Sequence, residues 1–152
     1  MATVQRFEEL ECWRSGRRLK QTIYRFTRRE NFRLDFALVS QIRRAAQSIT
    51  SNIAEGFERG GNREFIQFLS QSKGSVGEVK DQLYTALDER YISQDDFDMA
   101  YELGEQTTRL IGGFMSYLRR TEKTGSKFVS RSSRNRDPKT PTSDSPTPNP
   151  EP

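Results

Sequence analysis

Between Phe7 and Leu118 the large apolar residues recur at intervals of three and four, the spacing of helices that each bury one face. Phe7, Leu10, Trp13, Leu19, Ile23 and Phe26 predict a first helix over roughly 8–29. Gly16 stands where that row calls for a large residue, so a neighbouring helix is expected to come close there. A short link, Glu30 to Leu34, leads to Asp35, a side chain suited to capping. Phe36, Val39, Ile42, Ala46, Ile49, Ile53 and Phe57 then form a second row, which ends at Gly60 and Gly61. Asn62 reads as the cap of a third helix over about 63–89, with Phe65, Phe68, Leu69, Val76, Val79, Leu83 and Leu87 on its seam. Gly74, Ser75 and Gly77 interrupt it in mid-course. A glycine inside a helix costs about 1 kcal/mol against alanine, and the expected reason for keeping two is backbone contact with a crossing helix. Ser93 followed by acidic residues opens a fourth helix, whose seam is Phe97, Tyr101, Gly104, Thr108, Ile111, Met115 and Leu118, fading at Arg119 and Arg120. No period-two run suggests a strand. The prediction is an all-α fold, an antiparallel up-down four-helix bundle over 1–120.

The pattern fails from Thr121 onward. Residues 121–152 hold all six prolines and hardly any large apolar side chain. Such a Ser/Thr/Pro-rich basic segment buries too little to offset ordering entropy, which predicts a disordered C-terminal tail. Its basic portion, Lys127, Arg131, Arg134 and Arg136, reads either as a solubilising charge or as a weak nucleic-acid contact.

Composition narrows the chemistry. The chain has no histidine, which removes imidazole bases, Ser/His and Cys/His pairs and every metal site that needs imidazole. Its one cysteine, Cys12, forms no internal disulfide and fits a reducing compartment. Without a long apolar run or a signal-peptide layout, the expected location is cytoplasmic, away from membranes. The segments around Gly61 to Glu64 and Gly74 to Glu78 resemble phosphate loops only superficially, because no strand precedes them. No cofactor or metal and no catalytic residue is expected, so the chain reads as a non-enzyme.

Within the second helix, Gln41 to Gly56 reads QIRRAAQSITSNIAEG. Gln41, Ser48 and Glu55 lie seven apart and, with Asn52, make a polar strip beside the apolar seam. Small amides and hydroxyls suit a crowded place better than a solvated face, which carries Lys and Glu instead. Gln41, Arg44, Ser48, Asn52, Glu55 and Gly56 are therefore candidate assembly or packing residues, together with Gly74, Ser75 and Glu78 of the third helix. Arg43 and Arg44 are expected to pair with acids such as Glu55 or Glu78. A catalytic use of those two carboxylates is the weaker alternative.

The first helix is basic on its other face: Arg14, Arg17, Arg18, Arg25, Arg28 and Arg29 are candidate nucleic-acid contacts. Net charge is +4, divided as +5 over 1–59, −3 over 60–120 and +2 over the tail. Clustered arginines suit phosphates. They equally suit a solvated face with ion pairs to the acidic half of another copy, and both readings stand. Trp13, Tyr24, Phe26, Phe57, Phe65 and Phe68 fall mostly on seam positions, so binding would be directed at the phosphate backbone rather than at bases.

The residues FEELECWRSGRRLKQTIYRFT, followed by QIRRAAQSITSNIAEGFERGGNREFIQFLSQSKGSVGEV, resemble the four-helix-bundle family of proteins encoded in intervening sequences of bacterial 23S ribosomal RNA genes. That family is similar to the accessory variability determinant protein of diversity-generating retroelements. The resemblance covers about 7–118 and implies a ring-like homopentamer with basic surfaces. For the retroelement member it implies binding of a reverse transcriptase and of RNA or DNA; for the ribosomal branch it implies no established activity. Gly77 and Lys73 depart from the larger or apolar residues that family members often carry there. The expectation is thus a homo-oligomeric helical adaptor for nucleic acid or a nucleic-acid enzyme, and the alternative is a structural or selfish-element protein with no ligand beyond itself.

Overall fold

A computed structural model describes residues 3–124. The expected tail from residue 125 onward lies outside the described residues. Four helices make the fold: α1 (Glu11–Thr27), α2 (Phe36–Arg59), α3 (Asn62–Asp88) and α4 (Gln94–Thr124), and the described residues contain no strand. The expected first helix is shorter than its periodicity. Leu10 is extended (φ −75°, ψ 127°), so Phe7–Glu9 forms a separate 3-10 turn, whose Phe7 ring meets Trp13 edge-on at 5.2 Å. The fourth is longer, running past Arg120 to Thr124.

The helices start and stop for identifiable reasons. Asp35 Oδ1 accepts from the Leu38 N–H (3.1 Å) and Oδ2 from the Tyr91 hydroxyl (3.0 Å), so one carboxylate caps α2 and ties it to the α3–α4 link. Gly60 adopts φ 92°, the left-handed conformation that ends α2. At the end of α3 the Tyr91 N–H reaches Ala86 O (2.9 Å) and the Arg90 N–H reaches Leu87 O (3.0 Å), a Schellman closure with Arg90 at φ 60° where glycine is usual. Ser93 and Asp96 cap α4 reciprocally, the Asp96 N–H donating to Ser93 Oγ (3.1 Å) and the Ser93 N–H to Asp96 Oδ2 (3.2 Å). Asn62 differs from its expected role: it is the first residue of α3, and its amide donates instead to Leu118 O and Thr121 Oγ1 at the end of α4.

Each contact between neighbouring helices runs in opposite residue order, so adjoining helices are antiparallel. Gly16 meets Ile49 and Thr50 while Arg43 reaches Thr27 (α1 with α2); Gly56 meets Phe65 while Ser75 reaches Ser48 (α2 with α3). Asn62 reaches Thr121 while Lys80 pairs with Glu105 (α3 with α4), and Ser15 bonds Thr107 (2.6 Å) while Arg29 bonds Asp96 (α4 with α1). Between them the core holds Leu19, Ile23, Phe26, Ile42, Ile49, Ile53, Phe57, Phe65, Leu69, Leu83 and Ile111, all essentially inaccessible. Phe32 joins them from the α1–α2 link, buried by a 3-10 turn and stacked on Tyr91 at 5.0 Å. Phe36, expected on the α2 seam, is 78% exposed because it stands about 200° of helical turn from the buried Leu38 and so faces outward. Leu38 takes the inward place.

The glycines divide into two groups. A Cβ on Gly16 would stand 2.9 Å from Ile49 Cγ2, and one on Gly56 would stand 2.7 Å from Phe68 Cβ and 2.8 Å from Phe65 Cδ1. Gly74 and Gly77, expected to contact a crossing helix, have no neighbouring atom within 4 Å of that position and lie exposed on α3. Gly56→Ala is therefore expected to cost about 1–2 kcal/mol, overpacking outweighing the gain in helix propensity. Gly74→Ala and Gly77→Ala should each stabilise by about 0.5–1 kcal/mol. Urea unfolding followed by helical circular dichroism checks both signs.

Candidate nucleic-acid interface

Because α1 turns Leu19, Ile23 and Phe26 inward, its outer surface carries Arg14, Arg17, Arg18, Gln21, Arg25 and Arg28, all exposed. Arg14, Arg18, Gln21, Arg25 and Arg28 follow a spacing of four, three, four, three and form a straight row, about 21 Å long at 1.5 Å per residue. Two recesses lie along it. One of about 300 Å³ is lined by Glu8, Trp13, Arg14, Arg17, Arg18 and Gln21. The other, about 550 Å³, opens where α1 meets α2 and is lined by Lys20, Gln21, Tyr24, Arg25, Arg28 and Gln47.

The cations differ in how far they are already engaged. Arg14 donates to Glu8 O (2.8 Å) and to Glu11 Oε1 (3.1 Å), and Arg17 lies over the Trp13 ring, 5.7 Å from its centroid. Arg25 donates only to Thr22 Oγ1 (3.3 Å). Among the described residues the Arg18 and Arg28 guanidinium groups have no ionic or hydrogen-bonding partner. Lys20, half-buried, donates to Thr50 Oγ1 of α2 (3.0 Å). Burial first, and the neighbouring Arg17 second, hold its ammonium below the ordinary lysine range. The negative charge of a phosphate placed there would favour the ammonium and so oppose that shift.

Arg29 belongs elsewhere. Its two terminal nitrogens reach Asp96 Oδ2 (2.5 Å) and Oδ1 (3.4 Å), and its guanidinium lies over Phe26 at 4.7 Å. It clasps α1 to the start of α4, and its charge is matched by Asp96. Arg43 also departs from expectation. It pairs with neither Glu55 nor Glu78, but donates to Thr27 Oγ1 (2.9 Å) and lies over Tyr24 at 4.4 Å, bracing α1 from α2. Glu55 pairs with Arg59 (2.9 Å) along its own helix.

The assembly candidates separate into two sets. Ser48, Asn52 and Ser75 face one another: Asn52 Nδ2 donates to Ser48 O (2.8 Å) and Oγ (2.9 Å), and Ser75 Oγ bonds Ser48 Oγ (2.8 Å). With Ser72 Oγ donating to Ile49 O (2.7 Å) and Gly56 under Phe65, they fasten α2 to α3 within the chain. Gln41, Arg44, Glu78 and Gln82 instead rim a recess of about 420 Å³ between those helices, floored by Ala45, Ser48 and Ser75. Arg44 and Glu78 are exposed and unpaired among the described residues, and Gln82 Oε1 is buried without a hydrogen-bond partner. Gly74 lies exposed on α3 and takes no part in the recess.

Lys20, Gln21, Tyr24 and Gln47 are site residues that composition alone leaves out. The even spacing of the α1 row marks Gln21; nothing in the sequence marks Gln47, which reaches the site only through the α1–α2 crossing. Among the described residues no group of three or more Cys, Asp or Glu side chains stands ready to hold a metal ion. Burial pushes the Cys12 thiol up to about 12, away from thiolate chemistry. No described helix is long and apolar enough to cross a membrane.

Fold and surface together define a small helical bundle with one cationic helix face. The chain belongs to the 23S rRNA-intervening sequence protein family, whose model matches residues 8–113. It is similar in fold to a crystal structure of a protein of unknown function from the S23 ribosomal protein family of Bacteroides thetaiotaomicron. That similarity has a TM-score of 0.62 at 20% identity, over 68% of this chain and 97% of that one. No curated protein matches this chain significantly.

The Arg29–Asp96 clasp gives a pH signature. Chiefly through Arg29, and also through the Ser93 N–H and hydroxyl, the Asp96 carboxyl falls from its ordinary 3.8 to about 2. A lowered carboxyl pKa means stability present above the unfolded value and lost as pH falls through the folded one. Part of the acid destabilisation between about pH 3.8 and 2 should therefore vanish in Asp96→Asn. Urea midpoints measured across that range check it; an unchanged slope refutes the clasp.

Proposed function

We propose that this protein is a non-enzymatic, cytoplasmic, self-associating helical adaptor that holds nucleic acid by its phosphate backbone on the outer face of α1. The observation that carries this reading is the row from Arg14 to Arg28, in which the Arg18 and Arg28 guanidinium groups have no partner within the described chain and that of Arg25 has only a hydroxyl. Free guanidinium groups suit bidentate phosphate contact. Family membership supports the reading because the resemblance implies basic surfaces and a nucleic-acid setting. A nucleic-acid enzyme such as a reverse transcriptase, working on the same strand, is the protein partner such an adaptor would serve.

Self-association, with a pentamer as the form the resemblance implies, would use the recess between α2 and α3. Arg44 and Glu78 offer opposite unpaired charges there, and the Gln82 carbonyl lacks a donor. A second copy supplies all three complements.

Purified protein is expected to retain RNA at about 50 mM salt and to release it by about 200 mM, as counterion release requires. The combined Arg18→Gln, Arg25→Gln and Arg28→Gln variant should bind at least tenfold more weakly with helicity unchanged, whereas Arg29→Gln should bind as the parent does. Failure to retain RNA at about 50 mM sinks the adaptor reading and favours a structural protein with no ligand beyond itself.

Sedimentation should show an assembly several times the 17.6 kDa of the chain. Arg44→Glu or Glu78→Arg alone should dissociate it, and the double exchange should restore it. A parent protein that stays monomeric at about 100 μM contradicts this interface.

A further inference from the structure

The cation row is not uniform. Gln21 lines both recesses and divides the exposed arginines into two groups, Arg14, Arg17 and Arg18 before it and Arg25 and Arg28 after it, while Lys20 beside it is half-buried and held by Thr50. The two groups come nearest at Arg18 and Arg25, about seven residues or roughly 10 Å apart along the helix, and their midpoints stand about ten residues or roughly 15 Å apart. A single strand following the row would pass a neutral gap at its centre. Two separate backbones would not.

The aromatic side chains point the same way. Binding to single strands relies on open rings on which bases stack, at about 1–3 kcal/mol per base. Here Trp13 is half-buried, covered by Arg17 and met edge-on by Phe7. Tyr24 is half-buried under Arg43, and Phe26 is buried beneath Arg29. The exposed aromatics among the described residues are Phe36, beyond the end of the row, and Tyr84, in a cluster with Phe97 and Tyr101 on α3 and α4. The basic face thus presents cations without a stacking platform.

We infer that α1 lies across a groove of a nucleic-acid double helix, one cation group on each bounding backbone and Gln21 over the groove between them. This rests on the nucleic-acid reading above and names its substrate class as duplex. The separation of roughly 10–15 Å brackets the width of the B-form major groove, about 12 Å, and exceeds the 6 Å or so of the minor groove. The wide, shallow minor groove of A-form RNA offers a comparable span. With phosphates as the contacts, recognition is of shape rather than sequence.

The test uses the full chain and fluorescence anisotropy at about 50 mM salt, with a duplex of about 20 base pairs in RNA and in DNA, and an unstructured single strand of equal phosphate count. At least one duplex is expected to bind about tenfold tighter than the single strand, and the two duplex arms distinguish A-form from B-form. The triple variant Arg14→Gln, Arg17→Gln, Arg18→Gln and the pair Arg25→Gln, Arg28→Gln should each weaken duplex binding. Each should also flatten its salt dependence, by about one unit of slope for every phosphate that is no longer neutralised. Gln21→Lys fills the gap; it should tighten single-strand binding while leaving duplex binding within about twofold. Equal or tighter binding of the single strand, or dependence on one cation group alone, overturns the inference while leaving the adaptor reading intact. Absence of binding to every probe overturns both.

Discussion

The close approach of α2 to two neighbours at once is the constraint on which the rest of the bundle depends. Toward α1 it is made at Gly16, against which the side chains of Ile49 and Thr50 rest. Toward α3 it is made at Gly56, where Phe65 and Phe68 occupy the space a methyl group would need. Between these points Ser72 donates to Ile49 O and Ser75 meets Ser48, so hydroxyls, which need little room, satisfy each other where larger polar groups would hold the helices apart. Interiors packed this densely tolerate little change of volume. The mixture of isoleucine, alanine, serine and asparagine in QIRRAAQSITSNIAEG follows from having to fit two helices, and of the polar members that this fit does not engage Gln41 and Arg44 are left at the rim of the recess between α2 and α3.

That division explains what was legible in the sequence. Periodicity finds all four helices and most of the core, because Ile23, Ile42, Ile53, Leu69 and Ile111 repeat with the helical turn and are buried for that reason. It misses Phe32, which a 3-10 turn in a link buries and which therefore belongs to no period. It misplaces Phe36, because steps of three drift off the seam: Phe36 stands about 200° of helical turn from the buried Leu38 and faces out. A glycine shows only that a methyl group is absent: the same residue type marks close contact at Gly56 and open surface at Gly74.

The site was legible to the same degree. A run of arginines on one helix is visible in the sequence, yet which of them are free depends on partners brought from far along the chain. Asp96 takes Arg29 from 67 positions away, and Tyr24 and Thr27 take Arg43 from α1. The expected pairing of Arg43 with Glu55 or Glu78 failed because both acids lie along other faces, Glu55 beside Arg59 and Glu78 at the recess rim.

These pairings also show why the basic face and the core are one design problem. Lys20 is held by Thr50, and Thr50 adjoins the Gly16 contact, so the lysine that lines the larger recess is positioned by the same crossing that packs α1 on α2. Arg43 over Tyr24 braces that crossing from the α2 side, and Arg29 on Asp96 fixes the far end of α1 against α4. Three cations are thereby used to brace α1, and the remaining ones are presented at fixed intervals on a surface that, in the proposed role, would lose little conformational entropy on meeting a polyanion. In that role a face built in this way would recognise the spacing of charges rather than their identity, which a rigid helix is able to measure.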